Sequence, residues 1–201
     1  MATGRSTCGA SGQPAPSVTA APAPSGWTYL PWYDPDLELA VPADWVPNTT
    51  FRAWSPDPST PADVAAGAKW WNEKVEAGVV RMQANSSDPD RATMGVLVTV
   101  ESGDGSLEAF VSRALAEYSY SKELGRHPLQ SAVGPCDVVD SSIRLSSYSS
   151  LARDSMCRLA DGRSLLVEVT ETASSDASPG PDATSLAQLA DQIMSTLRPH
   201  Q

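Results

Sequence analysis

Two cysteines in the C-terminal half of the chain, Cys136 and Cys157, have a type and spacing suited to a defined chemistry. Both lie in segments whose residue pattern predicts neighbouring strands. In an oxidising compartment they can form a disulfide that closes a loop of about 20 residues, with a stabilisation of roughly 3 kcal/mol. The other interpretation is two reduced thiols that pack as small apolar side chains. We predict the disulfide.

The third cysteine, Cys8, lies in a segment that resembles the mature start of a bacterial lipoprotein. It is followed by Gly-Ala-Ser and by a spacer rich in Pro, Ala and Ser. Arg5 departs from the pattern, because an apolar residue is expected three positions before the cysteine. The alternative is a disordered N-terminus with an incidental cysteine. The resemblance implies that Cys8 carries a lipid anchor and that a signal peptide has been removed.

Catalytic chemistry has little support in the sequence. A nucleophilic Ser or Cys needs a histidine base, and the histidines are His127, in a segment interpreted as a loop, and His200, next to the C-terminus. No GxSxG, P-loop or GxGxxG motif occurs, and GDGS at residues 103–106 is interpreted as a turn before a helix. We predict no catalytic residue and no cofactor.

The acidic residues are interpreted as solvated. Glu168 and Glu171 lie on a predicted strand, and an acid–base pair needs a geometry that the sequence does not reveal. The absence of a CxxC motif, with two histidines, also argues against a zinc site. The net charge of −10 repels phosphate backbones and anionic lipids, so we predict no nucleic-acid partner and no membrane contact except through lipid on Cys8.

Aromatic residues are concentrated in the first third of the domain, where all six tryptophans lie between Trp27 and Trp71. We expect the segment before the first strand to pack as a lid on the sheet. The alternative is an exposed patch that binds a sugar, a peptide or a partner protein. The residues of this candidate patch are Trp27, Tyr29, Trp32, Tyr33 and Trp70.

The chain of 201 residues divides at Gly26. Residues 1–26 contain one charged residue, Arg5, and no aromatic residue, which predicts a disordered tether. Residues 27–201 have a length that suits a single domain. The excess of arginine over lysine, with abundant Ala, Ser and Pro, is typical of an actinobacterial protein.

Hydrophobic periodicity predicts strands that arrive in consecutive pairs, separated by three helices. Thr60, Pro61 and Asp63 predict a capped helix start, and Trp71 shares the apolar stripe of that helix, whereas Trp70 is expected to be partly exposed. Asp161-Gly162 predicts a two-residue hairpin turn. This order predicts an α/β protein of the α+β class, with a central, largely antiparallel sheet flanked by helices.

Three segments resemble the PsbP-like family: LELAVPADW, VTVESGDGSLEAF, and the strand–DG–strand hairpin before a terminal helix that ends in IMSTLRP. The resemblance covers about residues 30–198 and implies a PsbP-like sandwich of the kind found in bacterial lipoproteins of unknown function. The pair Trp70–Trp71 is not part of the family pattern. The family has no common catalytic residue, and its members act mostly as accessory or interaction modules.

The predicted function is a non-enzymatic accessory protein, lipid-anchored in the cell envelope or secreted, that binds a protein or a small ligand. The alternative is an intracellular interaction or chaperone-like module in the cytoplasm, without a lipid anchor. Reduced Cys136 and Cys157 would favour the second hypothesis.

Overall fold

The computed structural model describes residues 18–86, 93–103, 105–117, 121–174 and 182–200. These ranges contain ten strands and three helices. In chain order they are β1 (Trp27–Trp32), β2 (Leu37–Pro42), β3 (Val46–Asn48), α1 (Ala62–Glu76), β4 (Val80–Asn85), β5 (Thr93–Glu101), α2 (Leu107–Glu117), β6 (Ser121–Ser131), β7 (Gly134–Arg144), β8 (Tyr148–Arg158), β9 (Ser164–Ser174), α3 (Ala183–Ser195) and β10 (Arg198–Pro199). No helix in these ranges is long and apolar enough to cross a membrane.

The strands form two antiparallel sheets. Seven strands pair in the order β3-β4-β5-β9-β8-β7-β6, and the small sheet has the order β1-β2-β10. Consecutive strands are neighbours over most of the large sheet, as expected for hairpin-connected strands. The predicted α+β class with a largely antiparallel sheet is confirmed.

The large sheet carries a hydrophobic core on each face, because side chains alternate along a strand. In β9, Leu165 and Val167 belong to the larger core, which includes β2 and α3. Leu166 points to the opposite face, where it packs with Met156 of β8 and with Phe110 of α2 in a smaller core. The face that carries α2 also carries the candidate site.

The predicted disulfide is confirmed. Cys136 of β7 and Cys157 of β8 lie directly opposite each other, with their Cα atoms 4.0 Å apart, and their sulfur atoms are bonded. Both residues are buried in the larger core.

The segment from Ser121 to Ser131 differs from its prediction. The apolar periodicity after the GDGS turn predicts a helix that continues to Glu123, and a loop is predicted around His127. Instead, α2 ends at Glu117 and β6 begins at Ser121. β6 is the edge strand of the large sheet and is mostly exposed, so it lacks the apolar alternation that identifies a strand. Its Pro128 is compatible with an edge position, because an edge strand has one side without ladder hydrogen bonds.

Part of the predicted tether contacts the domain. Residues 1–17, which include Cys8, lie outside the described residues. The backbone N–H of Ala21 donates to the carbonyl of Ser195, with a distance of 2.7 Å. Ser195 is the last residue of α3, so its carbonyl has no partner within the helix, and Ala21 satisfies it. Within the predicted tether of residues 1–26, Ala21 therefore contacts the domain, and for residues 1–17 the tether stays a prediction.

The hairpin between β8 and β9 is confirmed, but its loop is longer than the two-residue turn. Residues 159–163 connect the strands, and the N–H of Leu159 donates to the carbonyl of Arg163. Gly162 has a φ of +86°, a left-handed conformation that glycine adopts without strain.

Candidate functional site

A cavity of about 510 Å³ lies between α1 and the large sheet, on the face that carries α2. Its wall on the α1 side combines apolar and aromatic groups with one carboxylate: Asp63, Val64, Ala66, Gly67, Trp70 and Trp71, with Trp54 from the preceding loop. Its floor comes from strands β6 to β9 and from the loop after β7, and is mostly polar: Ser121, Ser141, Ile143, Leu145, Tyr148, Ser150, Ala152, Asp154, Glu168, Thr170 and Thr172.

Both tryptophans of α1 line this cavity and are half-buried. The indole N–H of Trp71 donates to the carbonyl of Arg52 at 2.8 Å, and its ring contacts Phe51 edge-on. The expectation that Trp71 packs against the sheet is therefore wrong, whereas Trp70 is partly exposed, as expected. α1 is separated from the sheet by the cavity, so Trp71 packs on residues 51–52 instead.

One end of α1 is attached to the sheet by Asp63. Its carboxylate accepts hydrogen bonds from the backbone N–H of Ser146 at 2.7 Å and from the Ser146 hydroxyl at 2.8 Å. Both hydrogen bonds hold the pKa of Asp63 below its usual value, and the bond from the backbone N–H of Ser146 has the larger effect. The predicted helix cap is not formed, because Pro61 occupies the N-cap position without a side-chain hydrogen bond. Asp63 instead connects α1 to the loop between β7 and β8.

Tyr148 begins β8 beside this connection. Burial raises the pKa of its phenol, and the nearby carboxylate of Asp63 adds to the effect. Its hydroxyl therefore stays neutral beside the cavity at physiological pH.

Two carboxyl groups meet at the floor of the cavity. Asp154 of β8 and Glu168 of β9 are directly opposite in the antiparallel register. Asp154 is 2% exposed, and its Oδ1 has no hydrogen-bond partner among the described residues. Burial raises the pKa of Asp154 well above its ordinary value, and the charges of Glu168 and Asp140 and a hydrogen bond with Glu168 act in the same direction. Asp154 therefore retains its proton at a pH where an ordinary aspartate is ionised.

The interpretation of Glu168 as part of a solvated face is wrong, because the fold places it half-buried beside Asp154. Asp154 itself was missed. The sequence contained one signal: Asp154 alternates with Ala152 and Met156, which both face inward on the same side of β8. A carboxyl group at an inward position of a strand is unusual and costs free energy unless it is paired.

The opposite face of β8 carries a separate charge network. Arg153 is 8% exposed and bonds to Asp140 through Nε at 2.6 Å and to Asp191 of α3 through a terminal nitrogen at 2.6 Å. The hydrogen bonds that Arg153 donates, those to Asp140 first, raise the pKa of its guanidinium. The network attaches α3 to the sheet. The positive charge of Arg153 is therefore paired with Asp140 and Asp191 on the face of β8 opposite Asp154.

Four residues of the predicted aromatic patch lie around the small sheet. Trp32 is 2% exposed in the larger core, and Trp27 packs against that core. The guanidinium carbon of Arg198 lies 3.7 Å from the centre of the Tyr29 ring, whereas Tyr33 is exposed. Trp70 is not brought to these residues, because it lines the cavity on the other face of the large sheet. The aromatic segment forms strand β1 and covers the core.

The histidines lie outside the cavity lining. His200 contacts the buried Glu38 at 3.0 Å. Burial alone would raise the pKa of Glu38, but hydrogen bonds with His200 and Arg198 bring it below its usual value. His127 is exposed on β6. The part of the chain that the structure describes contains no cluster of three metal-ligating side chains.

Sequence comparison assigns no family: no protein-family model matches the chain, and no curated protein matches it. Solved structures do show similarity. The immunity protein TplEi of the T6SS of Pseudomonas aeruginosa, complexed with an "L" peptide, has a TM-score of 0.50 and 9% identity, and the match covers 88% of this chain and 99% of TplEi.

Two further structures are more distant in TM-score. LpqN, involved in cell envelope biogenesis of Mycobacterium tuberculosis, has a TM-score of 0.44 and 13% identity, with 85% of this chain and 88% of LpqN covered. PA94 of Pseudomonas aeruginosa, a protein of unknown function, has a TM-score of 0.47 and 16% identity, and the match covers 59% of this chain and 82% of PA94. At these identities the likeness to TplEi shows the fold alone, and the other two add no argument about function.

Proposed function

We propose that this protein is a non-enzymatic binding module of the cell envelope or the extracellular space, and that its ligand occupies the cavity between α1 and the sheet. The observation that carries the proposal is the cavity itself. Its volume of about 510 Å³ falls within the range of roughly 300–1,000 Å³ that is typical of ligand sites. Apolar and aromatic walls with a few convergent polar groups are also typical of such sites.

The cavity has the organisation of a binding site rather than of a packing defect. Protein interiors are close-packed, and voids larger than a water molecule are few. Here two tryptophans of one helix face a polar floor, and Asp63 fixes the helix above it through Ser146. A helix that stands away from a sheet leaves apolar surface that a ligand can cover.

A non-enzymatic role is supported by the position of the titratable groups. A nucleophile in the cavity, such as Ser141 or Ser150, would need a base within hydrogen-bond reach. His200 is engaged with Glu38 at the small sheet, and His127 lies on the edge strand.

The disulfide supports an extracytoplasmic location, because disulfides persist mainly in oxidising compartments. A lipid on Cys8 remains a prediction, as does membership of the PsbP-like family, which rests on the order of the elements. TplEi is complexed with a peptide, so a protein of similar fold can take a peptide as its partner.

A substitution at Gly67 tests whether ligands use the cavity. Gly67 lies on α1 in the cavity lining, and a Cβ added there meets no atom within 4 Å. Gly67→Phe should place its ring in the cavity and weaken binding of the neutral apolar dye Nile red at least tenfold, measured by fluorescence titration. Gly67→Ala is the control: it should keep binding and stabilise the helix by up to about 1 kcal/mol. Equal binding by wild type and Gly67→Phe would place the dye elsewhere and contradict the proposal.

A further inference from the structure

We propose that the ligand of this cavity carries a cationic group, a primary amine or a guanidinium, on an apolar or aromatic body, and that Asp154 and Glu168 hold the cation. This inference rests on the proposed function and specifies the chemistry of the same site. Three independent observations support it: the sign of the charges in the lining, an unsatisfied buried oxygen, and the aromatic walls.

Apart from the phenol of Tyr148, the ionisable side chains in the described lining are carboxyl groups. Asp63, Asp154 and Glu168 contribute carboxyl groups, and no lysine, arginine or histidine is among the described residues that line the cavity. A concave site lined by one sign of charge concentrates ligands of the opposite sign. The cavity is therefore complementary to a cation and unfavourable for an anion.

The second observation is Oδ1 of Asp154. Asp154 is 2% exposed, and its Oδ1 has no hydrogen-bond partner among the residues that the structure describes. A buried acceptor without a donor costs free energy, and a bound donor group can recover that cost. An ammonium group brings three N–H donors and a guanidinium brings five, so either can donate to Oδ1 and to the adjacent carboxyl of Glu168 together.

The third observation is the aromatic lining. Trp54, Trp70, Trp71 and Tyr148 line the same cavity as the carboxyl pair. Aromatic faces attract cations electrostatically, most strongly when the contact is desolvated, and they also pack against an apolar ligand body. A lining that contains both carboxyl groups and aromatic rings can thus recognise the two parts of an amphiphilic cation.

Binding should be linked to a proton. Two acidic groups act on Asp154, Glu168 from β9 and Asp140 from β7. Asp63 of α1 and the neutral phenol of Tyr148 also line the cavity. The ligand-free Asp154 is protonated by burial. A bound cation favours its ionised form, so the proton leaves to solvent and an ion pair forms, with no covalent change. Since protons are released on binding, affinity must rise with pH as Asp154 titrates.

The test compares three probes that share one apolar body: 4-phenylbutylamine, 4-phenylbutanol and 4-phenylbutyrate. Calorimetric titration of the full chain should show that the amine binds at least tenfold more tightly than the alcohol and that the carboxylate binds least. Asp154→Asn and Glu168→Gln should each remove that preference and leave alcohol binding within about twofold. Asp137→Asn, a carboxyl on the same sheet face but outside the lining, is the control for net charge and should keep the preference.

Two short peptides, acetyl-Leu-Lys-Leu-amide and acetyl-Leu-Gln-Leu-amide, distinguish a peptide side chain from a free amine as the source of the cation. The affinity ratio of the lysine peptide to the glutamine peptide is compared with the affinity ratio of the amine to the alcohol. A larger ratio for the peptides would assign the cation to a peptide ligand. If the alcohol binds as tightly as the amine, the inference is overturned while the proposed binding function stands. If none of the probes binds, the proposed function fails as well.

Discussion

Trp32→Ala should destabilise the protein by roughly 3–5 kcal/mol, the loss typical of a large aromatic side chain removed from a core. Trp32 is the last residue of β1 and is 2% exposed in the larger core. Its removal leaves a void between the small sheet and the large sheet that the neighbouring strands cannot fill. Urea denaturation of the full chain measures the change in the free energy of unfolding.

Trp71→Ala is the matched control and should cost clearly less, about 1–2 kcal/mol, because Trp71 is half-buried against residues 51–52 rather than in a core. If the two variants lose the same stability, α1 is packed on the sheet as firmly as β1. That outcome would contradict the presence of the cavity.

Replacing both cysteines of the disulfide, as Cys136→Ala with Cys157→Ala, should cost roughly 3 kcal/mol. The bond joins directly opposed residues of β7 and β8, with a sequence separation of 21 residues, so its loss frees the chain between them in the unfolded state. The effect is measured by denaturation in the absence of reductant.

Cys8→Ala, which leaves the disulfide intact, is the control and should unfold like the wild type. A double variant as stable as the wild type, or one that dithiothreitol destabilises as much as it does the wild type, would show that no such bond contributes. That result would also remove the main support for an extracytoplasmic location.

Much of the fold could be predicted because its signals are local. Cys136 and Cys157 lie in segments with strand periodicity, and the turn at Asp161-Gly162 fixes two strands as a hairpin. Strand β6 could not be predicted in the same way. It is an exposed edge strand whose pairing with β7 determines its conformation, and β-structure of this kind depends on context more than on propensity.

The carboxyl pair could not be predicted because it depends on register. With a two-residue turn at Asp161-Gly162, Asp154 would stand opposite Val169. The longer loop over residues 159–163 shifts the pairing by one residue, so Asp154 stands opposite Glu168. A shift of one residue in a strand moves a side chain to the other face of the sheet. Glu168 was therefore visible in the sequence as a carboxylate, but its partner was not.

The cavity depends on a long-range contact of the same kind. Asp63 was expected to cap its own helix, but it bonds to Ser146, which is far away in the sequence. Local helix rules describe the start of α1 but not the distance at which α1 is held from the sheet. That distance determines whether Trp70 and Trp71 border a cavity or a packed interface.

The most direct test of a ligand site between α1 and the sheet is a map of backbone amide chemical shifts in the 15N-labelled full chain during titration with 4-phenylbutylamine. The largest changes are predicted in α1 around Gly67 and Trp70, and in β8 and β9 around Asp154 and Glu168. Changes centred instead on β1 and the small sheet, near Tyr29, would place binding at the aromatic segment and contradict this account.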